Sequence, residues 1–199
     1  AFQPDKVAPR LISLVKAAAM VEHNGHDYAR YLSEVFHDDE EFKRVAAQWA
    51  EEEVQHGKAL AKWAQLADPT FNFEESFQAF AKGIQLPTNV EVSVRGSKGG
   101  ELIARCVVEV GTSAYYSALK DAAEEPVLKA ICAKIAADEF RHYKLFYTHM
   151  NRYLEKEPLS FWQRARVAFS RLVESEDDEL AYAFFAAHDY AQGKPYSRQ

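Results

Sequence analysis

Apolar residues recur in alternating steps of four and three along four stretches of the chain. Each stretch reads as one helix with a single inward stripe. In the first, Leu11, Val15, Ala18, Glu22, Gly25, Ala29, Leu32 and Phe36 keep the rhythm. The second carries Phe42, Ala46, Trp49, Glu53, His56, Leu60, Trp63 and Ala67, and Asp38-Asp39-Glu40-Glu41 ahead of it supplies a cap and acidic first-turn charges. The third, about 98–122, turns Leu102, Cys106, Glu109, Ser113 and Tyr116 inward. The fourth, about 125–155, does the same with Leu128, Cys132, Ile135, Glu139, His142, Phe146, His149 and Tyr153. Short joints connect helices one to two and three to four. A longer piece, about 68–97, separates the pairs and holds a short helix near 74–85. The pattern predicts an all-α, antiparallel four-helix bundle with a long crossover between helices 2 and 3. Two amphipathic helices follow, opened by capping patterns at Ser160/Gln163 and Ser175/Asp178. They are expected to pack over the bundle or to form a dimer contact. No linker interrupts the chain, so residues 1–199 read as one domain, with a core over about 8–155 and a C-terminal helical extension over about 159–191.

Six positions in the inward stripes hold the wrong chemistry for a core: Glu22, Glu53, His56, Glu109, Glu139 and His142. An unpaired carboxylate is expensive to bury, so something must compensate the charge. The positions also repeat. Adding 86 carries Ala46, Trp49, Glu53, His56 and Leu60 onto Cys132, Ile135, Glu139, His142 and Phe146, and adding 87 carries Glu22 onto Glu109. Each half therefore offers one lone Glu and one Glu-x-x-His, whose two side chains share a helix face. In antiparallel helices all six groups meet at one level of the core. Four carboxylates are balanced by two divalent ions. Carboxylate oxygen and imidazole suit iron or manganese, and the absence of thiolates argues against structural zinc.

Composition narrows the rest. The chain is 48% hydrophobic, enough for a sizeable core, and its 8 Gly and 7 Pro leave room for long helices. A net charge of −6 with mixed signs argues against nucleic acid as the main partner. No apolar run is long enough for a transmembrane helix, and AFQPDKVAPR lacks a signal-peptide core, so a cytoplasmic setting is expected. Cys106 and Cys132 fall on opposite sides of the metal level, about 15 Å apart along the axis, which rules out a disulfide between them.

The constellation Glu22, Glu53-Val54-Gln55-His56, Glu109 and Glu139-Phe140-Arg141-His142 resembles the ferritin-like di-iron carboxylate superfamily over about 20–155. The resemblance implies that Glu22 and His56 bind one iron and Glu109 and His142 the other, with Glu53 and Glu139 bridging. It also implies that Asp138 reaches His56 and Glu52 reaches His142, each acid holding a histidine of the other half. Iron-storage ferritins typically lack the second His-bearing motif. Rubrerythrins usually place a further Glu where Cys106 stands, and the small subunit of ribonucleotide reductase places a Tyr where Leu60 stands. The double Glu-x-x-His is more similar to desaturases, bacterial multicomponent monooxygenases and aldehyde-deformylating oxygenases. Desaturases place a Thr at the offset of Thr112, and monooxygenases place one at that of Ser113. The resemblance thus implies a di-iron oxidoreductase that activates O2, as an oxygenase or desaturase, on an apolar small molecule, with an electron-donor protein as reductant. A rubrerythrin-like peroxidase and a non-catalytic iron-storage protein are the alternatives. A manganese or mixed manganese–iron pair remains open.

Around this centre, Thr112 and Tyr116 are the candidate catalytic residues. Tyr115 and Tyr143 are near by spacing, and His26 lies one turn past Glu22. Trp49, Leu60, Phe146 and Phe36 either line an apolar pocket or fill ordinary core. Arg164, Arg166 and Arg171 form a solvated face or a docking surface for an acidic redox protein or carrier. The tail stretch Tyr182-Ala183-Phe184-Phe185 suggests a homodimer contact.

Overall fold

Three of the four inward stripes fold as helices whose starts are fixed by side-chain caps; the first opens on Pro9 without one. The computed structural model describes residues 1–87, 90–174 and 178–197. It contains α1 (Pro9–His23), α2 (Gly25–Val35), α3 (Glu40–Ala67), α4 (Phe73–Gly83), α5 (Lys98–Ala122), α6 (Pro126–Lys156), α7 (Phe161–Glu174) and α8 (Asp178–His188), with no strand among the described residues. Asp39 accepts from the Phe42 amide at 3.0 Å, Ser97 from Gly100 at 3.0 Å, and Glu125 from Leu128 at 2.8 Å, with Pro126 opening α6. Each such cap contributes about 1 kcal/mol. Glu125 does more than cap. Its carboxylate also accepts from the Trp63 indole at 2.7 Å and the Gln3 amide at 3.1 Å, so it fastens the N-terminus, α3 and α6 together. At α7 the Ser160/Gln163 box is reciprocal, with contacts of 2.8 and 3.3 Å. The Ser175/Asp178 pattern lies outside the described residues.

The first stripe, read as one helix to Phe36, is two. Asn24 leaves the helix at φ −81°, ψ 8° and separates α1 from α2. Here the first hairpin is closely packed. A Cβ on Gly57 would lie 2.6 Å from the His23 backbone nitrogen, and one on Gly25 would lie 2.7 Å from Glu53 Cβ. Side-chain-free positions on both helices let α1–α2 run against α3 at backbone contact.

Pairings along the helices set their directions. Residues early in α3 meet residues late in α6, as in Tyr153 to Asp39 at 2.6 Å, whereas His56 meets Asp138. The two helices are therefore antiparallel. Residues 68–97, with α4, carry the chain across from α3 to α5. The core divides around the level of the acidic residues. One cluster holds Leu11, Val15, Leu60, Trp63, Leu128, Cys132 and Ile135. The other holds Leu32, Phe36, Phe42, Trp49, Cys106 and Phe146. The two cysteines are free and lie in different clusters.

The tail helices treat their apolar residues in opposite ways. α8 packs on α1 and α4, burying Ala183 and Ala186. The Tyr182–Phe185 stretch thus has an internal use, although Phe184 stays exposed. α7 packs on α5 and is tied by an ion pair from Arg95 to Glu174 at 2.6 Å. Its residues Phe161, Trp162, Phe169, Leu172 and Val173 are exposed along one side. Arg164 and Arg166 are solvated, while Arg171 is half-buried against a cavity described below. Among the described residues, no helix is long and apolar enough to cross a membrane.

Candidate metal centre

Four helices each contribute to one buried ring. The last turn of α1 supplies Glu22, α3 supplies Glu53 and His56, α5 supplies Glu109, and α6 supplies Glu139 and His142; all six are buried. Their ligand atoms form two overlapping groups, each within 4.8 Å: Glu22, Glu53, His56 and Glu139, then Glu53, Glu109, Glu139 and His142. Glu53 and Glu139 belong to both. His56 Nδ1 faces Glu139 Oε1 at 3.2 Å and Glu22 Oε2 at 3.3 Å. His142 Nδ1 faces Glu53 Oε1 at 2.9 Å, with Glu109 and Glu139 oxygens each at 3.7 Å. None of these approaches is oriented as a hydrogen bond. Glu22 Oε2, Glu53 Oε1, Glu139 Oε1 and both Nδ1 atoms are buried without a hydrogen-bond partner. Buried polar atoms are normally satisfied, so five converging exceptions mark a site whose atoms are directed at a common point.

The outer nitrogens are tied down. His56 Nε2 lies 3.1 Å from Asp138, and His142 Nε2 lies 3.0 Å from Glu52. An Nε2–H donated to a carboxylate leaves Nδ1 as a lone pair facing inward, the tautomer a metal ligand needs. Arg141 spans the two acids, donating to Asp138 at 2.6 Å and Glu52 at 3.0 Å. It was not singled out in the sequence, although it sits inside the motif. Replacing Asp138 with alanine is expected to weaken metal binding about 10- to 100-fold with unchanged helicity. Competition against a chelator measures the first, and far-ultraviolet circular dichroism the second.

Electrostatics in the bare polypeptide set these groups against one another. Burial, reinforced by Glu22, holds the Glu53 carboxyl well above the carboxylate range. Burial pushes Glu109 up to about 8. Burial alone would raise Glu139 as well, but His142 and His56 outweigh it and bring it down to about 2. Burial would lower His56, yet Glu139 and Glu22 override it and raise it to about 11. At this depth Glu53 and Glu109 do not readily ionise beside two imidazoles. Added positive charge is what would let them do so.

The remaining candidates fall into place around this ring. Tyr116, fully buried, donates to Glu22 Oε1 at 2.7 Å. Thr112 Oγ1 bonds back to the Val108 carbonyl at 3.0 Å and lines a cavity of about 410 Å³, which Glu22, Glu53, Glu109, Glu139, Tyr115 and Tyr116 also line. Ser113 is used structurally, joining α5 to the Ala136 carbonyl of α6 at 2.9 Å. His26 pairs with Glu51 on the surface at 2.9 Å, and His149 meets Arg152 at 2.9 Å, so neither joins the ring. Tyr143 stacks on Phe140 away from the cavity. Of the four large apolar residues near the seam, only Trp49 lines the cavity. Leu60, Phe36 and Phe146 fill the core clusters on either side of the ring. The cavity opens instead between α1–α2 and α5, under Leu172 of α7 and Leu180 of α8. It also contains a residue the sequence reading passed over, Arg105, one turn before Glu109 and buried.

A family profile described as fatty acid desaturase matches residues 19–175, a span that runs from α1 through α7 and includes every residue of the ring. Neither the curated proteins nor the solved structures contain a match to the chain. The buried Glu/His cluster is compatible with a metal site, and the cavity beside it presents mainly apolar surface, with Arg105, Arg171 and Glu179 also in its wall. With most of its length matched, the chain belongs to the fatty acid desaturase family, desaturase-like oxidoreductases that act on apolar substrates.

Proposed function

We propose that the protein is a di-iron oxidoreductase that activates O2 to oxidise an apolar organic molecule, with desaturation as the favoured reaction. In this reading residues 1–199 form one cytoplasmic domain of ferritin-like type, reduced by an electron-donor protein. One observation carries it: five buried ligand atoms lack hydrogen-bond partners and point to a shared centre, and the two ligand groups have Glu53 and Glu139 in common. The residues fit a pair of divalent ions. Glu22 and His56 would hold one, Glu109 and His142 the other, and Glu53 and Glu139 both. Six oxygen and nitrogen donors with no thiolate suit iron, with manganese as a substitute. When bound, such a pair supplies the electrons that reductive activation of O2 requires.

The polypeptide supplies everything else. Asp138 and Glu52 fix the two imidazoles in the ligand tautomer. Tyr116 steadies Glu22 through its hydroxyl. Burial, then the Glu22 charge, raises the Tyr116 phenol well above its usual range, so it remains a donor. Thr112 presents a side chain one turn from Glu109 in the cavity wall, near the apolar Val107 and Val108. A cavity that reaches the carboxylates favours oxidation of an organic substrate over iron storage or simple peroxide removal.

The test is metal analysis of the protein, then anaerobic ferrous loading and rapid mixing with O2 and, separately, with H2O2. About two irons per chain and fast oxidation by O2 are expected. Oxidation by peroxide alone would make the protein a peroxidase, and failure to bind metal would remove the reading altogether.

A further inference from the structure

An amphipathic helix that turns its apolar side to solvent calls for an explanation. At about 100° per residue, Phe161, Trp162, Phe169, Leu172 and Val173 fall within one arc of α7, about 120° wide. Helices of a folded chain normally direct such an arc at the core. In α7 it points away. Trp162 is 79% exposed, Phe169 is 69% exposed, and no residue of the helix is buried. The half-buried side, packed on α5, carries Ser170, Arg171 and Glu174 beside Val167.

Charge borders the arc. Arg164 falls at one edge and Arg166 at the other, and both are exposed. Three arginines against one glutamate give α7 a charge of +2, in a chain whose net charge is −6. The one acid, Glu174, is engaged by Arg95 at 2.6 Å and by Ser170 at 2.8 Å. At its C-terminal end the arc reaches Leu172, which stands with Leu180 of α8 over the cavity; both are exposed.

A second copy of α7 does not suit this surface. A helix of 14 residues is about 21 Å long and about 10 Å wide, so the arc offers about 200 Å², against about 800 Å² per partner in a stable interface. Such a seam would also gather four border arginines while Arg95 holds Glu174 in each copy. A lipid surface demands neither large area nor matched shape. Aromatic and branched side chains enter the boundary between headgroups and acyl chains, and arginines at the edges reach back to phosphate oxygens. Anionic headgroups complement the positive helix.

We propose that α7 is an interfacial helix that docks the protein on an anionic membrane surface. Trp162, Phe169, Leu172 and Val173 enter the boundary region, and Arg164 and Arg166 bind headgroup phosphates. The docking is peripheral and holds whatever molecule the cavity takes.

Trp162 supplies the readout, because Trp49 and Trp63 are buried. The full chain is titrated with vesicles of phosphatidylcholine containing about one third phosphatidylglycerol, and with vesicles of phosphatidylcholine alone. Co-sedimentation measures binding. A blue shift of tryptophan emission and its quenching by brominated acyl chains measure insertion. Wild type is expected to bind the anionic vesicles at least about ten-fold more strongly than the neutral ones. The double variant Trp162→Ser, Phe169→Ser is expected to lose at least about ten-fold in binding. The double variant Arg164→Gln, Arg166→Gln is expected to lose about ten-fold on anionic vesicles only. All four positions are exposed, so thermal melts of both variants should match wild type. Failure of wild type to bind anionic vesicles, equal binding to both vesicle types, or binding that survives either double variant would overturn the proposal. So would a dimer in sedimentation velocity that the Trp162→Ser, Phe169→Ser chain no longer forms, which would assign the stripe to a second copy.

Discussion

Replacing Glu53 with leucine is expected to change stability in opposite directions depending on whether metal is present. Glu53 is buried, belongs to both ligand groups, and has a carboxyl that burial and Glu22 hold well above its usual range. In the metal-free chain it is a desolvated acid beside three others. A leucine of similar size removes a desolvated acid that burial already disfavours in its charged form, so the metal-free variant is expected to melt above wild type. With metal available the sign reverses. Both positions lose a shared ligand, and the wild-type chain gains stability from binding that the variant cannot gain. Thermal melts with chelator and with excess ferrous ion, under anaerobic conditions, read both signs. Glu139→Ala should likewise remove both metals, whereas Glu22→Ala, which touches one group only, should leave about one metal per chain. Equal loss in Glu22→Ala and Glu139→Ala would argue against two positions sharing two carboxylates.

The second large effect is expected at Gly57, next to the ring residue His56. An added Cβ would lie 2.6 Å from the His23 backbone nitrogen and 2.7 Å from its Cβ. The obstacle is main chain, so no rotamer change relieves it, and α1 must move off α3. Overpacking of this kind costs about 1–3 kcal/mol, and the larger Gly57→Val should sit at or beyond the top of that range. For a chain of this size about 3 kcal/mol lowers the melting temperature by about 6–12 °C. Glu22 is next to His23 on the displaced backbone, so metal binding should weaken along with stability. A Gly57→Ala chain that melts and binds metal like wild type would show that the α1–α3 crossing is looser than described.

The long seams were legible because helical periodicity survives even where a ligand replaces a leucine. Glu53 and His56 keep the step of three that a packed pair would have, and the repeat at Glu139 and His142 separates design from accident. The caps at Asp39 and Ser160 were readable for the same local reason. The break at Asn24 was not. It answers to the backbone contact between His23 and Gly57, which lies 34 positions away in sequence, and the periodicity runs through it undisturbed. Nor was the cavity legible. Trp49, Leu60, Phe36 and Phe146 share one stripe pattern, and only three-dimensional packing decides that Trp49 borders open space while the others fill the core. Arg105 and Arg141 escaped notice because a charged residue beside a seam looks solvated until the neighbouring helices are placed.

The exchange of partners across the ring has an implication for assembly. Asp138 holds His56 and Glu52 holds His142, so each helical hairpin carries the acid that the other hairpin's histidine requires. Neither hairpin can complete a histidine by itself. A single hairpin of this kind would build the centre only by pairing with a copy, each lending its acid to its twin. The 86-residue offset between Glu53 and Glu139 and the interlocked acids make the two hairpins mutually dependent halves of one centre. A substitution at either acid is therefore felt at the histidine of the opposite half.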